Sequence, residues 1–279
     1  MSRPLLVVDG DSFAHRAYHA LPKSIRRAGG RPGNALVGFT NMLLRFWEWE
    51  RPRTVLVAWD RLDVPTYRHT AFPAYQSGRV FDDELLEQLD LLPAVVASAG
   101  FAVAKEPGYE ADDFLGAAVA FEEAAGGTAL VATSDRDAFQ LASERTTILQ
   151  PVRGETPTRV DPDGVRERYG VEPEQVPDFI ALRGDPSDKI PGARGIGEKR
   201  AAELLAQYRS LDAMLEEGRF EAEADSLRLF RRMATVDRSA PLPPLPDVEP
   251  DWIAAAAHVR VLGLEGQARR FEEAAASWS

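Results

Sequence analysis

Tyr109-Glu110-Ala111-Asp112-Asp113, an apolar run through Phe114-Leu115-Gly116-Ala117-Ala118-Val119, and then Leu130-Val131-Ala132-Thr133-Ser134-Asp135-Arg136-Asp137 form the stretch on which the fold turns. It reads as a helix over 110–125 opened by three acids, then a buried strand over 129–133 that ends beside two more. Carboxylates suit a helix N-terminus through its dipole, which gives the first three an ordinary structural explanation. Five of them around one helix and one strand nevertheless repel each other, and a cluster that dense calls for a cation.

The same pattern recurs outward. Pro4-Leu5-Leu6-Val7-Val8 is an apolar run ending in Asp9-Gly10-Asp11, and Thr54-Val55-Leu56-Val57-Ala58-Trp59 ends in Asp60. Shorter strands are expected at 101–104 and 147–149, with helices at 34–50 and 82–99 between the strands. Alternation of this kind implies an α/β fold, a mainly parallel central sheet with helices on both faces. Ligands of such sheets lie beyond the carboxyl ends of the strands. Asp9, Asp60 and Asp135 are therefore expected on one edge, with Glu110, Asp112 and Asp113 beside them. Beyond residue 160 strand signals fade. Helices are expected over 165–169, 176–182, 198–208, 211–216, 222–236 and 265–277, with Pro241–Pro246 as a loop and 252–264 ambiguous. The chain thus divides into an α/β core over 1–165 and a helical region over 166–279.

Composition narrows the class. The 279 residues are 44% hydrophobic, enough for a sizeable core, and no run of 18 apolar residues would span a membrane. The N-terminal apolar segment is too short for a signal peptide, and the absence of cysteine excludes disulfides and thiolate metal sites; a cytoplasmic protein is expected. The net charge of −11 argues against nucleic acid taken as an average. The distribution argues otherwise. Residues 12–47 hold no acid but six bases (Arg16, Lys23, Arg26, Arg27, Arg31 and Arg45), and residues 64–80 hold Arg68, His69 and Arg79, again with no acid. Two basic tracks beside an acidic cluster suit a phosphate path leading to a metal site. Their interleaved aromatics, Tyr18, Tyr67 and Tyr75 among them, suit single-stranded nucleic acid.

Two constellations carry chemistry. Asp9, Asp60, Glu110, Asp112, Asp113, Asp135, Asp137, Asp185 and Asp188 form an all-oxygen donor set, which favours Mg²⁺ or Mn²⁺ over zinc. It exceeds the needs of one ion, so two are expected, clamping both oxygens of a phosphoryl displacement. Gly195-Ile196-Gly197 entering a helix presents backbone amides to a phosphate, and Lys199 and Arg200 in its first turn oppose the helix dipole unless an anion lies outside.

Val8-Asp9-Gly10, Ala58-Trp59-Asp60, Gly108-Tyr109-Glu110-Ala111-Asp112-Asp113, Thr133-Ser134-Asp135-Arg136-Asp137, Gly184-Asp185-Pro186-Ser187-Asp188-Lys189-Ile190-Pro191-Gly192 and Gly195-Ile196-Gly197 follow in an order that resembles the 5′-3′ exonuclease/flap endonuclease family. The chain is similar to the N-terminal 5′-nuclease domain of bacterial DNA polymerase I and looks like a stand-alone member. The resemblance implies a PIN-like nuclease core, a helical arch over about 66–98, and a helix–three-turn–helix DNA clamp over about 180–208. It implies a first metal on Asp9, Asp60, Glu110 and Asp112 and a second on Asp135, Asp137, Asp185 and Asp188, with Asp113 in support. Arg79 joins the catalytic group, and Tyr18, Arg26, Arg27, Arg68, Tyr75, Arg79, Gly195, Ile196, Gly197, Lys199 and Arg200 meet DNA. The implied cofactors are two Mg²⁺ or Mn²⁺, with K⁺ at the clamp. The implied partners are DNA with a 5′ flap, nick or 5′ single strand and RNA-primer/DNA hybrids, handled by a monomer in the bacterial cytoplasm near the nucleoid.

Three departures stand out. Gln76 follows Tyr75 where the family usually has lysine, Lys189 replaces the usual asparagine, and Asp11 is an added acid. The leading expectation is a Mg²⁺-dependent two-metal nuclease in replication and repair. One rival is a flap-binding module that cuts poorly. Another is a phosphatase using Asp9-Gly10-Asp11, which leaves Gly195-Ile196-Gly197 without a role.

Overall fold

The structure, a computed structural model, describes residues 3–152 and 156–277. Its centre is a six-stranded sheet: β1 (Leu5–Asp9), β2 (Thr54–Ala58), β3 (Ala102–Ala104), β4 (Ala129–Ala132), β5 (Thr146–Gln150) and β6 (Thr158–Val160), in the order β3-β2-β1-β4-β5-β6. All neighbours are parallel except β5 and β6. The chain leaves β1 toward β2 and β3, then returns to pair β4 on the other side of β1. That reversal creates the crevice where ligands of such sheets bind.

Twelve α-helices accompany the strands among the described residues. They are α1 (Gly10–Ala20), α2 (Asn34–Glu50), α3 (Tyr67–Ala71), α4 (Asp83–Ser98), α5 (Ala111–Ala124) and α6 (Pro162–Tyr169). The second half holds α7 (Val176–Arg183), α8 (Glu198–Tyr208), α9 (Leu211–Glu216), α10 (Ala224–Ala234), α11 (Trp252–Val261) and α12 (Glu265–Ala276). Strand side chains alternate between faces. Leu5, Val7, Leu56, Ala129 and Val131 enter one core with α5 and α7–α10, while Leu6, Val8, Val55, Val57 and Leu130 enter another with α1, α2, α4, α11 and α12. The last two helices therefore return to the first half of the chain. Trp252 stacks on Phe271 at 5.3 Å and meets Trp47 edge-on at 5.6 Å, so the division expected at 165/166 does not separate two cores.

Within residues 66–98, the short α3 and a strap of turns over 72–82 lead into α4, whose Leu85, Leu89, Leu92, Val95 and Val96 are buried in the second core. Between α7 and α8 the chain makes a tight turn closed by an Asp185–Ile190 bridge. Gly192 is required there: its φ is +75°, and a Cβ would sit 2.5 Å from the Gly184 nitrogen.

Candidate active site

Each acidic residue is delivered by a chain end that the fold makes on the same edge. Asp9 closes β1 and caps α1, accepting Ser12 N–H at 3.0 Å on one oxygen and Thr133 Oγ1–H at 2.7 Å on the other. Gly10 follows because Trp59 lies against it; a Cβ there would meet the indole at 2.6 Å. Asp60 follows β2 and accepts Ala111 N–H at 2.7 Å, while its own N–H donates to Asp11 Oδ2 at 2.7 Å. Glu110 caps α5 and accepts the Thr66 hydroxyl at 2.8 Å and the Tyr75 hydroxyl at 3.0 Å. Asp135 follows β4 and accepts Asp137 N–H at 2.9 Å. Asp185 and Asp188 come from the turn after α7, where Arg79 Nη2 reaches Asp188 Oδ1 at 3.2 Å.

These elements enclose a cavity of about 620 Å³ lined by Asp9, Asp11, Asp60, Glu110, Asp112, Asp135, Asp137, Asp185 and Asp188, with Arg79 at its mouth. Burial, opposed by the Ser12 and Thr133 bonds and aided by Asp60 and Asp135, pushes the Asp9 carboxyl up to about 7. Burial likewise lifts Asp188 to about 6. Asp11, Asp112 and Asp137 stand well above the carboxylate range, first through burial and then through their acidic neighbours. Among the described residues no three acids or histidines stand ready-made around a common point. They share a cavity without closing on one centre, the arrangement mutual repulsion favours. Asp112 Oδ1 is buried with no hydrogen-bond partner. A crowded, largely part-buried, all-oxygen donor set with an orphaned carboxylate oxygen fits hard divalent cations.

Several expected roles are corrected. Asp113 does not line the cavity: it is fully buried, gripped at two points by Arg68, and accepts Glu110 N–H and Asp237 N–H. Arg68 is 2% exposed and spends its remaining donors on the Met233 and Thr235 carbonyls, which removes it from any DNA surface. Tyr18 is 3% exposed with its hydroxyl donated to Asp82 at 2.5 Å, and Tyr75 is buried on Glu110, so neither ring is free to stack on a base. The Arg27 side chain is buried in an ion pair with Glu87 at 2.8 Å. Lys189 lies outside the cavity lining, exposed, at φ +61°. The structure instead brings in Ser12, His15, Phe81, Thr133 and Ser134. His15 and Phe81 pack at 5.2 Å on the cavity wall. Thr133 and Ser134 are readable from sequence, since they precede Asp135 at a strand end; His15 carries no signal beyond its place on a helix that the sequence pattern hides.

Away from the cavity, Gly195 and Gly197 are exposed before α8, where Gly197 caps the helix without a side-chain bond. The first amides of a helix have no intrahelical partner. Lys199 and Arg200 are exposed in that first turn, and Arg26 is exposed on the α1–α2 loop with Nη1 on the Gly30 carbonyl at 3.2 Å.

Comparison with known proteins agrees with this arrangement. Residues 4–170 match the family "5′-3′ exonuclease, N-terminal resolvase-like domain", and residues 171–251 match "5′-3′ exonuclease, C-terminal SAM fold". DNA polymerase I of Mycobacterium tuberculosis is 38% identical over 255 residues, covering 87% of this chain and 28% of that protein. The thermostable DNA polymerase I of Thermus thermophilus is 36% identical over 249 residues, covering 85% and 29%. The chain thus spans less than a third of the length of these relatives. Among solved structures, bacteriophage T5 5′-exonuclease with bound divalent metal ions (zinc) superposes with TM-score 0.70 at 18% identity, covering 97% of this chain and 99% of that one. The catalytic core of Rad2 in complex with DNA substrate gives 0.62 at 14% identity, covering 98% and 91%. At those identities the likeness speaks for the fold.

Proposed function

The chain belongs to the 5′-3′ exonuclease family, and from that membership we propose that it is a structure-specific 5′ nuclease that hydrolyses DNA phosphodiesters at 5′ flaps, nicks or 5′ single-stranded ends in replication and repair. The observation that carries the reading is the acidic cavity at the carboxyl edge of the sheet, with Arg79 at its mouth. A cavity so acidic repels a phosphodiester unless cations neutralise it.

In this reading Asp9, Asp60, Glu110 and Asp112 hold one divalent cation, and Asp135, Asp137, Asp185 and Asp188 hold the second. Bound there, Mg²⁺ or Mn²⁺ supplies the Lewis acidity that offsets charge developing on the phosphoryl oxygens. The protein's part is positioning. Thr133 and Ser12 N–H fix the two oxygens of Asp9, and Asp11 holds the backbone that carries Asp60. Arg79, its side chain 41% exposed, presents a guanidinium to the phosphate at the entrance. The 195–197 turn, Lys199 and Arg200 grip the duplex backbone, and Arg26 adds a cation on the α1–α2 loop. Hydrolysis leaves a 5′-phosphate and a 3′-hydroxyl. The same reading extends to RNA-primer/DNA hybrids, to K⁺ at the clamp over about 180–208, and to a monomer acting on DNA in the cytoplasm near the nucleoid. Among the described residues no helix is long and apolar enough to cross a membrane.

The test is a 5′-flap duplex cut in Mg²⁺ or Mn²⁺. Wild-type protein cleaves it, whereas Asp135→Ala and Asp137→Ala lose cleavage but retain binding in Ca²⁺. Wild-type protein that binds the flap without cutting it in either metal overturns the reading.

A further inference from the structure

Between the two groups of carboxylates runs a chain of uncharged contacts. Tyr75 donates its hydroxyl proton to Glu110 Oε2 at 3.0 Å. Its oxygen then accepts from Gln76 Nε2 at 3.0 Å, and the second N–H of the same amide donates to Asp188 Oδ1 at 3.0 Å. The main chain repeats the link, with Gln76 N–H directed at the Asp188 carbonyl at 3.4 Å. Gln76 adopts φ +49° to make these contacts, a left-handed conformation that residues with side chains usually avoid. Glu110 opens α5 and Asp188 sits in the turn after α7, so one side chain on the strap spans the gap between them.

We propose that Gln76 is a positioning residue that sets the spacing between Asp188 and the Tyr75–Glu110 pair for cation binding. The proposal rests on the cation-dependent reading above. An amide has two N–H donors for two acceptors and no charge. Asp188 Oδ1 also accepts from Arg79, so the amide supplies a second anchor on the same oxygen. An aliphatic side chain would leave Asp188 and the Tyr75 hydroxyl untied. A carboxylate would repel Asp188.

The experiment is a Mn²⁺ titration of DNA-free protein, read by loss of the free-Mn²⁺ paramagnetic resonance signal. Wild type, Gln76→Leu and Gln76→Asn are compared, with thermal melting measured alongside. Removing a partner that orients a ligand costs about 10-fold in metal affinity, and that loss is expected for the leucine variant. Asparagine accepts a left-handed backbone readily but is too short to span both acceptors, so it separates the conformation from the tie; it is expected to bind Mn²⁺ as weakly as leucine. Melting temperature stays at the wild-type value. Wild-type Mn²⁺ affinity in the leucine variant overturns the proposal, as does a fall in affinity that tracks a fall in melting temperature. Wild-type protein that binds no Mn²⁺ overturns the cation reading itself, and this proposal with it.

Discussion

Arg68 and Asp113 form a two-point ion pair inside the molecule, Nη1 to Oδ2 at 2.9 Å and Nη2 to Oδ1 at 2.7 Å, with side chains 3% and 0% exposed. The pair ties α3, before the strap, to the first turn of α5. Through the Met233 and Thr235 carbonyls it also ties both to the end of α10. An acid and a base that sequence alone assigns to metal and DNA are thus joined as a structural bolt behind the site.

Asp113→Ala should therefore destabilise the fold, rather than act mainly on cation binding. It leaves the buried Arg68 with Glu110 Oε2 at 3.4 Å as its one remaining carboxylate and removes the acceptor for Glu110 N–H and Asp237 N–H. Breaking a buried pair from one side costs about 3–5 kcal/mol. Urea denaturation should show a midpoint lowered accordingly with an unchanged slope. A wild-type midpoint combined with weakened Mn²⁺ binding would return Asp113 to the ligand set.

The cavity carboxylates predict how stability without metal depends on pH. Asp9 is raised to about 7 and Asp188 to about 6, both chiefly by burial, from an ordinary 3.8. A folded-state value above the unfolded one means that the folded form binds protons more tightly. The associated stability is fully present below the unfolded value and is lost as pH rises through the folded one. In EDTA the melting temperature should fall between about pH 5 and about pH 8. Mg²⁺ or Mn²⁺ binds the folded form and should restore most of the loss at the alkaline end. A metal-free melting temperature that rises across this interval would contradict the assignment of these groups to a crowded buried site.

Thr133→Val keeps the side-chain shape and removes one oxygen. That oxygen donates to Asp9 Oδ2 at 2.7 Å and accepts Asp135 N–H at 3.0 Å, inside a fully buried residue. Losing the bond to the part-buried Asp135 amide costs about 0.5–1.5 kcal/mol, visible as a lower melting temperature. The divalent-ion concentration for half-maximal flap cleavage should rise about 10-fold, because Asp9 loses the partner that orients it. Cleavage with wild-type metal dependence would show that Asp9 is held well enough by Ser12 N–H.

How far such detail can be read from sequence depends on the kind of interaction. The strands are legible because Leu5–Val8 and Thr54–Trp59 are unbroken apolar runs ending in aspartate, so sheet edge and acidic edge arrive together. Helix α1 is not. Its acid-free stretch reads as a phosphate track, yet Phe13, Ala14, Ala17 and Tyr18 are its buried face at helical spacing. Strand β6 offers three residues with two of them exposed, too little for a period-2 signal. The return of α11 and α12 to the first half depends on Trp252 meeting Trp47 and Phe271, contacts between distant segments that no local pattern encodes. Charge, likewise, is written in the sequence but its partner is not. Arg68 and Arg79 lie on one basic track, and only packing shows that one is sealed on Asp113 while the other stands at the cavity mouth.

Lys199 and Arg200 test the second DNA-facing surface independently of the chemistry. Both are exposed in the first turn of α8, behind the exposed Gly195 and Gly197. Two cations at that helix end oppose the dipole, and the exposed pair of Arg200 with Glu203 at 2.9 Å offsets this by little. Their stability contribution should be small, and Lys199→Ala/Arg200→Ala should melt at or slightly above the wild-type temperature. On DNA each neutralised phosphate releases counterions, and the slope of log K against log salt is shallower by about 0.9 for every phosphate that no longer has a cation against it. The double variant should therefore bind flap duplex more weakly, with a salt slope shallower by about 2. Single-turnover cleavage at saturating enzyme should stay near the wild-type rate, because neither residue lines the acidic cavity. An unchanged salt slope would remove this turn from the DNA surface, and a collapsed single-turnover rate would mean that grip and chemistry are coupled through the Asp185–Asp188 turn.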